Sequence, residues 1–217
     1  MRAGIVTLVV AYVLSQFFRA FLAVLAEVLG TEIGATPDDL AYASGAWFLV
    51  FALMQLPVGW LLDRIGPRRT ASALLLIGGG GGAALFALAQ GPGQIAVAMG
   101  LIGIGCSPVL MASYYIFARN YPPRSFAMLG ALMLGVGSAG NLIAAYPTTL
   151  AVEWFGWRET LWFLAAASAL VAAGIAATVE DPARSADSGG GSVLGLLKLP
   201  VIWAILPMMF VSYGPSA

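Results

Sequence analysis

Six stretches of about twenty apolar residues, separated by short polar turns, constrain this chain more than any other feature. A bilayer's hydrocarbon core takes about 20 helical residues to cross. Inside it no water satisfies backbone N–H and C=O groups, so each stretch must satisfy its own by folding as a helix. Counted this way, the spans run Ile5–Leu29, Tyr42–Leu62, Thr70–Gln90, Ile95–Phe117, Phe126–Val152 and Thr160–Val179. A further apolar segment begins near Leu199, is interrupted by Pro200 and Pro207, and runs to Ala217. Only 9% of residues are charged and 60% are hydrophobic, where a soluble domain carries about 25% charged residues. The fold class expected is an all-α polytopic membrane protein. A signal-peptide core has only about 7–15 apolar residues, so Ile5–Leu29 reads as a retained first helix.

The connections alternate in charge. Arg2, Arg64, Arg68, Arg69, Arg119, Arg124, Arg184 and Lys198 fall on one side. The other side has Glu32, Asp38, Asp39, the uncharged Gly91-Pro92-Gly93-Gln94, then Glu153, Arg158 and Glu159. Basic loops stay in the cytoplasm, which predicts a cytoplasmic N-terminus and a cytoplasmic linker over Glu180–Ser192. That linker is polar and rich in Gly and Ser, a composition that gives a flexible coil.

What is missing narrows the chemistry. The chain has no histidine and one cysteine, Cys106, inside an apolar run; neither a metal site, a disulfide nor a cofactor is expected. The formal net charge is zero and the basic residues are scattered, unlike a nucleic-acid footprint. No paired carboxylates sit within a span and no nucleophile motif is present, so no catalytic residue is assigned and an enzyme is not expected.

The turn between the second and third runs reads Gly59-Trp60-Leu61-Leu62-Asp63-Arg64-Ile65-Gly66-Pro67-Arg68-Arg69-Thr70. Gly59 is small enough for another backbone to approach, Asp63 marks a helix end, and Gly66 allows a turn that a Cβ would strain. Arg64, Arg68 and Arg69 hold the turn on one side of the membrane. The pattern G-x-L-x-D-R-x-G-x-R-R resembles the loop between helices 2 and 3 of the major facilitator superfamily of secondary transporters. It departs at Pro67, where that family has a basic residue. The Gly156-Trp157-Arg158 entry to the sixth run is also frequent in that family.

The resemblance implies an architecture. Residues 1–179 would form an N-terminal six-helix bundle, 180–198 a cytoplasmic linker, and 199–217 the start of helix 7 of a second bundle. It also implies alternating access for a small solute, with a midplane substrate site between two bundles and a cytoplasmic gate made by Gly59, Asp63, Arg64, Gly66, Arg68 and Arg69. The expected partners are the lipid bilayer, a small-molecule solute, and a C-terminal bundle, second copy or larger membrane complex. The expected location is the bacterial inner (plasma) membrane.

Runs three to five are rich in glycine, with Gly78 to Gly82 unbroken. Such residues make poor helices in water but let helices pack backbone to backbone in lipid. No strand precedes them and no lysine follows, so they are not a phosphate loop.

Four polar residues inside spans stand out. Arg19, near the middle of the first run, costs about 2.5–3.5 kcal/mol on insertion scales, so it should face a cavity or a partner. In the resembling family helix 1 lines the substrate path, which makes Arg19 a candidate anion-binding or gating group; the structural alternative is a guanidinium bonded to carbonyls. Gln16 lies on the same face, three residues earlier. Glu27 is eight residues further, roughly 80° round the helix, and reads as a carboxylate at the outer mouth. Asn141 is a substrate donor or an interhelical hydrogen bond. Tyr114, Tyr115 and Gln55 are weaker candidates. The helix 4 arginine and helix 5 Gly-Pro pair of drug–proton antiporters are absent. Gly140-Asn141 resembles the end of helix 5 in nitrate porters, but their helix 2 arginine is missing. Two functions remain open: half of a transporter for a small, anionic solute, or a non-transporting six-helix subunit of a larger complex.

Overall fold

The structure, a computed structural model, describes residues 2–182. Residues 183–217, which hold most of the expected linker and all of the expected start of helix 7, lie outside the described residues. The described chain is helical, with no strand. Its helices are α1 (Arg2–Ala20), α2 (Ala26–Ile33), α3 (Pro37–Arg64), α4 (Pro67–Leu74), α5 (Gly81–Ala87), α6 (Pro92–Asn120), α7 (Pro123–Gly137), α8 (Ala139–Ala144), α9 (Tyr146–Phe155) and α10 (Trp157–Thr178). They make six candidate membrane spans: Ala3–Ala23, Pro37–Arg64, Pro67–Ala87, Pro92–Asn120, Pro123–Phe155 and Trp157–Thr178.

Most spans begin earlier than the apolar count predicts. Pro37, Pro67, Pro92 and Pro123 each open a helix, a position where the missing N–H costs nothing and φ is already helical. At the start of α3 the Thr36 hydroxyl accepts from the Asp39 N–H while the Asp39 carboxylate accepts from the Thr36 N–H. This reciprocal cap satisfies two end donors and draws Asp38 and Asp39 from the predicted loop into the first turn. Gly66 and Gly156 make the turns into α4 and α10 with φ of 103° and 91°.

Two predicted continuous helices are broken. Span 1 stops at Ala20, passes through a 3₁₀ turn at Phe21–Ala23, and resumes as α2. The break contains neither Gly nor Pro; Phe21 instead stacks on Phe17 at 5.8 Å and meets Phe18 edge-on at 5.7 Å. Span 5 breaks at Ser138 and again at Ala145. Here Pro147 has no N–H for the carbonyl four residues back, and the Thr148 hydroxyl donates to that carbonyl, Ile143 O, at 2.9 Å. The same repair occurs in α6, where Ser107 Oγ donates to Ile104 O, four residues before Pro108, at 2.7 Å.

The α6 helix runs through the middle of the bundle. Gly103 backs onto the Trp47 carbonyl of α3, while Gly105 backs onto Gly78 and Gly79. Gly78 and Gly79 belong to a π-helical stretch, Leu75–Gly80, between α4 and α5. The core divides lengthwise into two clusters. One, toward the arginine-rich end, includes Leu8, Val58, Leu62, Ile116, Phe117 and Ile175. The other, toward the opposite end, includes Phe18, Phe21, Trp47, Phe86, Met99 and Trp157.

Candidate functional site: a mid-span arginine and an arginine-rich hairpin

Arg19 lies in the last turn of α1, where helix carbonyls lack partners and favour a cation. Phe17 and Phe18 are buried, leaving Arg19 exposed on the opposite side of the helix. Its guanidinium lies 5.4 Å from the ring centroid of Phe48 on α3. No carboxylate of the described residues pairs with it. A guanidinium over an aromatic face keeps its N–H fork free for a planar oxyanion.

The crossing of spans 1 and 5 sets the neighbouring amides. A Cβ at Gly140 would press on the Val13 carbonyl, and would lie 2.9 Å from Phe17 N and 3.0 Å from the Gln16 Cβ. Because Gly140 has none, α8 seats directly on α1, which places half-buried Gln16 beside the turn carrying exposed Asn141. One α-helical turn before Gly140, Gly137 seats on the Tyr12 ring. Glu27 sits apart, beyond the break, lining with Thr31, Thr149 and Glu153 an open cleft of ≈ 290 Å³.

At the arginine-rich end, Arg64, Arg68 and Arg69 are exposed and Gly66 is buried. Asp63 pairs with Arg119 at the end of α6, at 3.9 Å. Arg119 in turn lies over the Tyr115 ring at 3.9 Å, and Arg64 lies 5.2 Å from the Trp60 ring centroid. The turn has a second carboxylate that the motif does not contain: Asp181 Oδ1 accepts from the Arg68 N–H at 2.8 Å. A Cβ on Gly66 would lie 2.9 Å from that same oxygen. Gly66 therefore serves twice, for its left-handed φ and for the space the carboxylate fills. Gly59 differs from expectation: no described atom comes within 4 Å of a Cβ placed there. The close backbone approaches are at Gly4, Gly78, Gly82, Gly103, Gly105 and Gly140 instead.

Phe48, Arg119 and Asp181 were not singled out by sequence. Asp181-Pro182 just past the last span was visible as a polar exit, but its partner lies 113 residues away. Gln55 donates to the Phe51 carbonyl of its own helix, and the Tyr114 ring packs on Phe126.

A six-span helical bundle with a broken first helix, an arginine in the last turn of α1 that no described carboxylate pairs, and an arginine-rich hairpin at one end defines a polytopic helical membrane protein. The family model of the Major Facilitator Superfamily matches residues 8–216, and the chain belongs to that family. An uncharacterized transporter of Bacillus subtilis (strain 168), YybO, is 26% identical over 146 residues, 67% of this chain and 33% of the relative. A D-galactonate transporter of Escherichia coli O6:H1 is 38% identical over 65 residues, 30% of this chain and 14% of the relative. A quinolone resistance transporter of Acinetobacter baumannii is 30% identical over 119 residues, 54% of this chain and 27% of the relative. The fold is similar to the crystal structure of a bacterial homologue of the human lysosomal transporter Spinster, in an inward-facing and unoccupied conformation. That match has a TM-score of 0.65 and 20% identity, covering 88% of this chain and 46% of that one. The matches thus span a third or less of each curated relative and under half of the solved chain.

Proposed function

We propose that this chain is the N-terminal bundle of a secondary active transporter that moves a small organic anion by alternating access. Arg19 binds the anion, with Gln16 and Asn141 contributing amide donors. The observation that carries this reading is the exposed Arg19 guanidinium, stacked on Phe48 and unpaired by any described carboxylate. A fixed cation in a span is costly unless it meets a counter-charge, and a substrate oxyanion supplies one. One relative is named for D-galactonate and another for quinolone resistance, so the choice rests on Arg19. D-galactonate itself is a carboxylate. Glu27 stands at the outer mouth of the path.

In the same reading residues 180–198 are the linker, 199–217 begin helix 7, and a second bundle completes the substrate path. The basic loops favour a cytoplasmic N-terminus by the positive-inside rule, and the membrane in this reading is a bacterial inner membrane. Asp63, Arg119 and the hairpin arginines form the cytoplasmic closure, with Gly59 and Gly66 shaping the hairpin.

The test is uptake by the two-bundle protein in proteoliposomes across a panel of organic and inorganic anions. Arg19→Lys keeps the charge but loses the two-pronged donor, and uptake should fall strongly with thermal stability unchanged. Full uptake in Arg19→Leu overturns the anion site. Absence of uptake of any solute by the wild-type protein favours a non-transporting subunit.

A further inference from the structure

The Gly156-Trp157-Arg158 entry to α10 has no part in the anion reading, yet it ties three spans together at the end opposite the hairpin arginines. Trp157 is 2% exposed, and its indole Nε1 donates to Glu32 Oε2 at 2.7 Å. Arg158 lies 4.1 Å from the indole centroid and donates from Nη2 to the Ala89 carbonyl, just beyond α5, at 3.0 Å. Glu32 stands in the last turn of α2, the 8-residue helix that follows the break in span 1.

A helix that short has no stability of its own, and the 3₁₀ turn at Phe21–Ala23 separates it from α1. Its position is therefore set by what it is attached to. Its own Leu29 is buried in the core, and Gly34 ends it with φ of 68°. The polar attachment to another span is Glu32 to Trp157. The indole also heads an aromatic column that reaches the break: Trp157 meets Phe86 at 6.2 Å, Phe86 meets Phe21 at 5.7 Å, and Phe21 stacks on Phe17. Phe17 lies two residues from Arg19.

We infer that Glu32 and Trp157 are positioning residues: their hydrogen bond latches α2, a hinged outer segment of span 1, to the start of span 6. The inference is independent of what Arg19 binds. The bond is unequal at its two ends. Exposed Glu32 can exchange its indole partner for water, whereas the buried Trp157 N–H loses its acceptor outright when Glu32 leaves. The latch is held mainly by the cost of orphaning that donor.

Hydrogen exchange read by mass spectrometry on the 217-residue chain in lipid nanodiscs tests this directly. In Glu32→Leu, exchange of the peptide covering α2 should rise at least about tenfold, the scale of a lost charge-assisted hydrogen bond. Exchange in α6 should stay unchanged. Glu32→Gln keeps an acceptor oxygen without its charge and should fall between wild type and Glu32→Leu. Trp157→Phe removes the donor along with the need for an acceptor, and should raise exchange less than Glu32→Leu. The double variant Glu32→Leu/Trp157→Phe should not exceed Glu32→Leu, because both remove one interaction. Should Glu32→Leu fail to fold, Glu32→Gln and Trp157→Phe carry the comparison. Unchanged α2 exchange in Glu32→Leu or Trp157→Phe overturns the latch. So does an equal rise in Glu32→Gln and Glu32→Leu, additivity in the double variant, or a rise spread over all spans.

Discussion

Gly105→Ala and Gly81→Ala are the same chemical change, and the structure predicts opposite signs for them. A Cβ on Gly105 would lie 2.7 Å from the Gly78 carbonyl carbon and from the Gly79 Cα, and closer still to Gly79 N. All three atoms are backbone, so no rotamer change relieves the clash. Nor can α6 simply retreat, because on another face Gly103 already leaves only 2.7 Å between a would-be Cβ and the Trp47 carbonyl. Overpacking of this kind costs about 1–3 kcal/mol, against a helix-propensity gain of about 1 kcal/mol for Gly→Ala. A net loss of up to about 2 kcal/mol corresponds to a fall of up to roughly 8 °C for a chain of this size. At Gly81 nothing lies within 4 Å of the added Cβ, so only the propensity gain acts and the melting temperature should hold or rise. Thermal unfolding followed by intrinsic fluorescence in one detergent compares the two. Gly105→Ala as stable as Gly81→Ala would refute the backbone-contact reasoning.

Four further outcomes follow from the geometry. Asp181→Ala removes the carboxylate that accepts from Arg68 N–H and should cost about 1 kcal/mol, as lost helix caps do, with exchange rising first at the start of α4. Gly66→Ala should cost about 1–3 kcal/mol through its φ of 103°, and pairing it with Asp181→Ala should relieve only the steric part; full rescue by the pair would show that φ is not strained. Gly140→Ala should push α8 off α1 and lower uptake by the two-bundle protein, while the control Gly135→Ala, with open space around it, leaves uptake intact. Asp63→Asn should lower stability by less than about 1 kcal/mol, since the pair with Arg119 is long and Asp63 is 58% exposed. Its effect should appear instead as longer spin-label distances across the arginine-rich end, and unchanged distances would make Asp63 a helix-end residue only.

Much of the fold was legible because lipid leaves the backbone few choices. The six spans follow from apolar length alone, and the structure has candidate spans in all six places. Counting apolar residues set most starts late, since Pro37, Pro67, Pro92 and Pro123 open helices without looking apolar. The break near Pro147 was readable from the missing N–H; the one at Phe21 was not, since Phe21-Leu22-Ala23 has no helix breaker. The candidate site was legible in part. A mid-span arginine announces itself by its cost, but nothing in the sequence of α1 says that Phe48 lies under it.

By itself the sequence determined the class, the number of spans and the glycine turn at Gly66, because each depends on local chemistry: apolar length, charge, and a φ that only glycine adopts freely. The tertiary structure alone decided which glycines are indispensable, since Gly105 and Gly81 look alike until their neighbours are placed. It also decided that Asp181 fills the space at Gly66, that Arg119 answers Asp63, and that Glu32 holds Trp157 from 125 residues away. Those contacts join groups distant in the chain, and their partners become known only once the helices have packed.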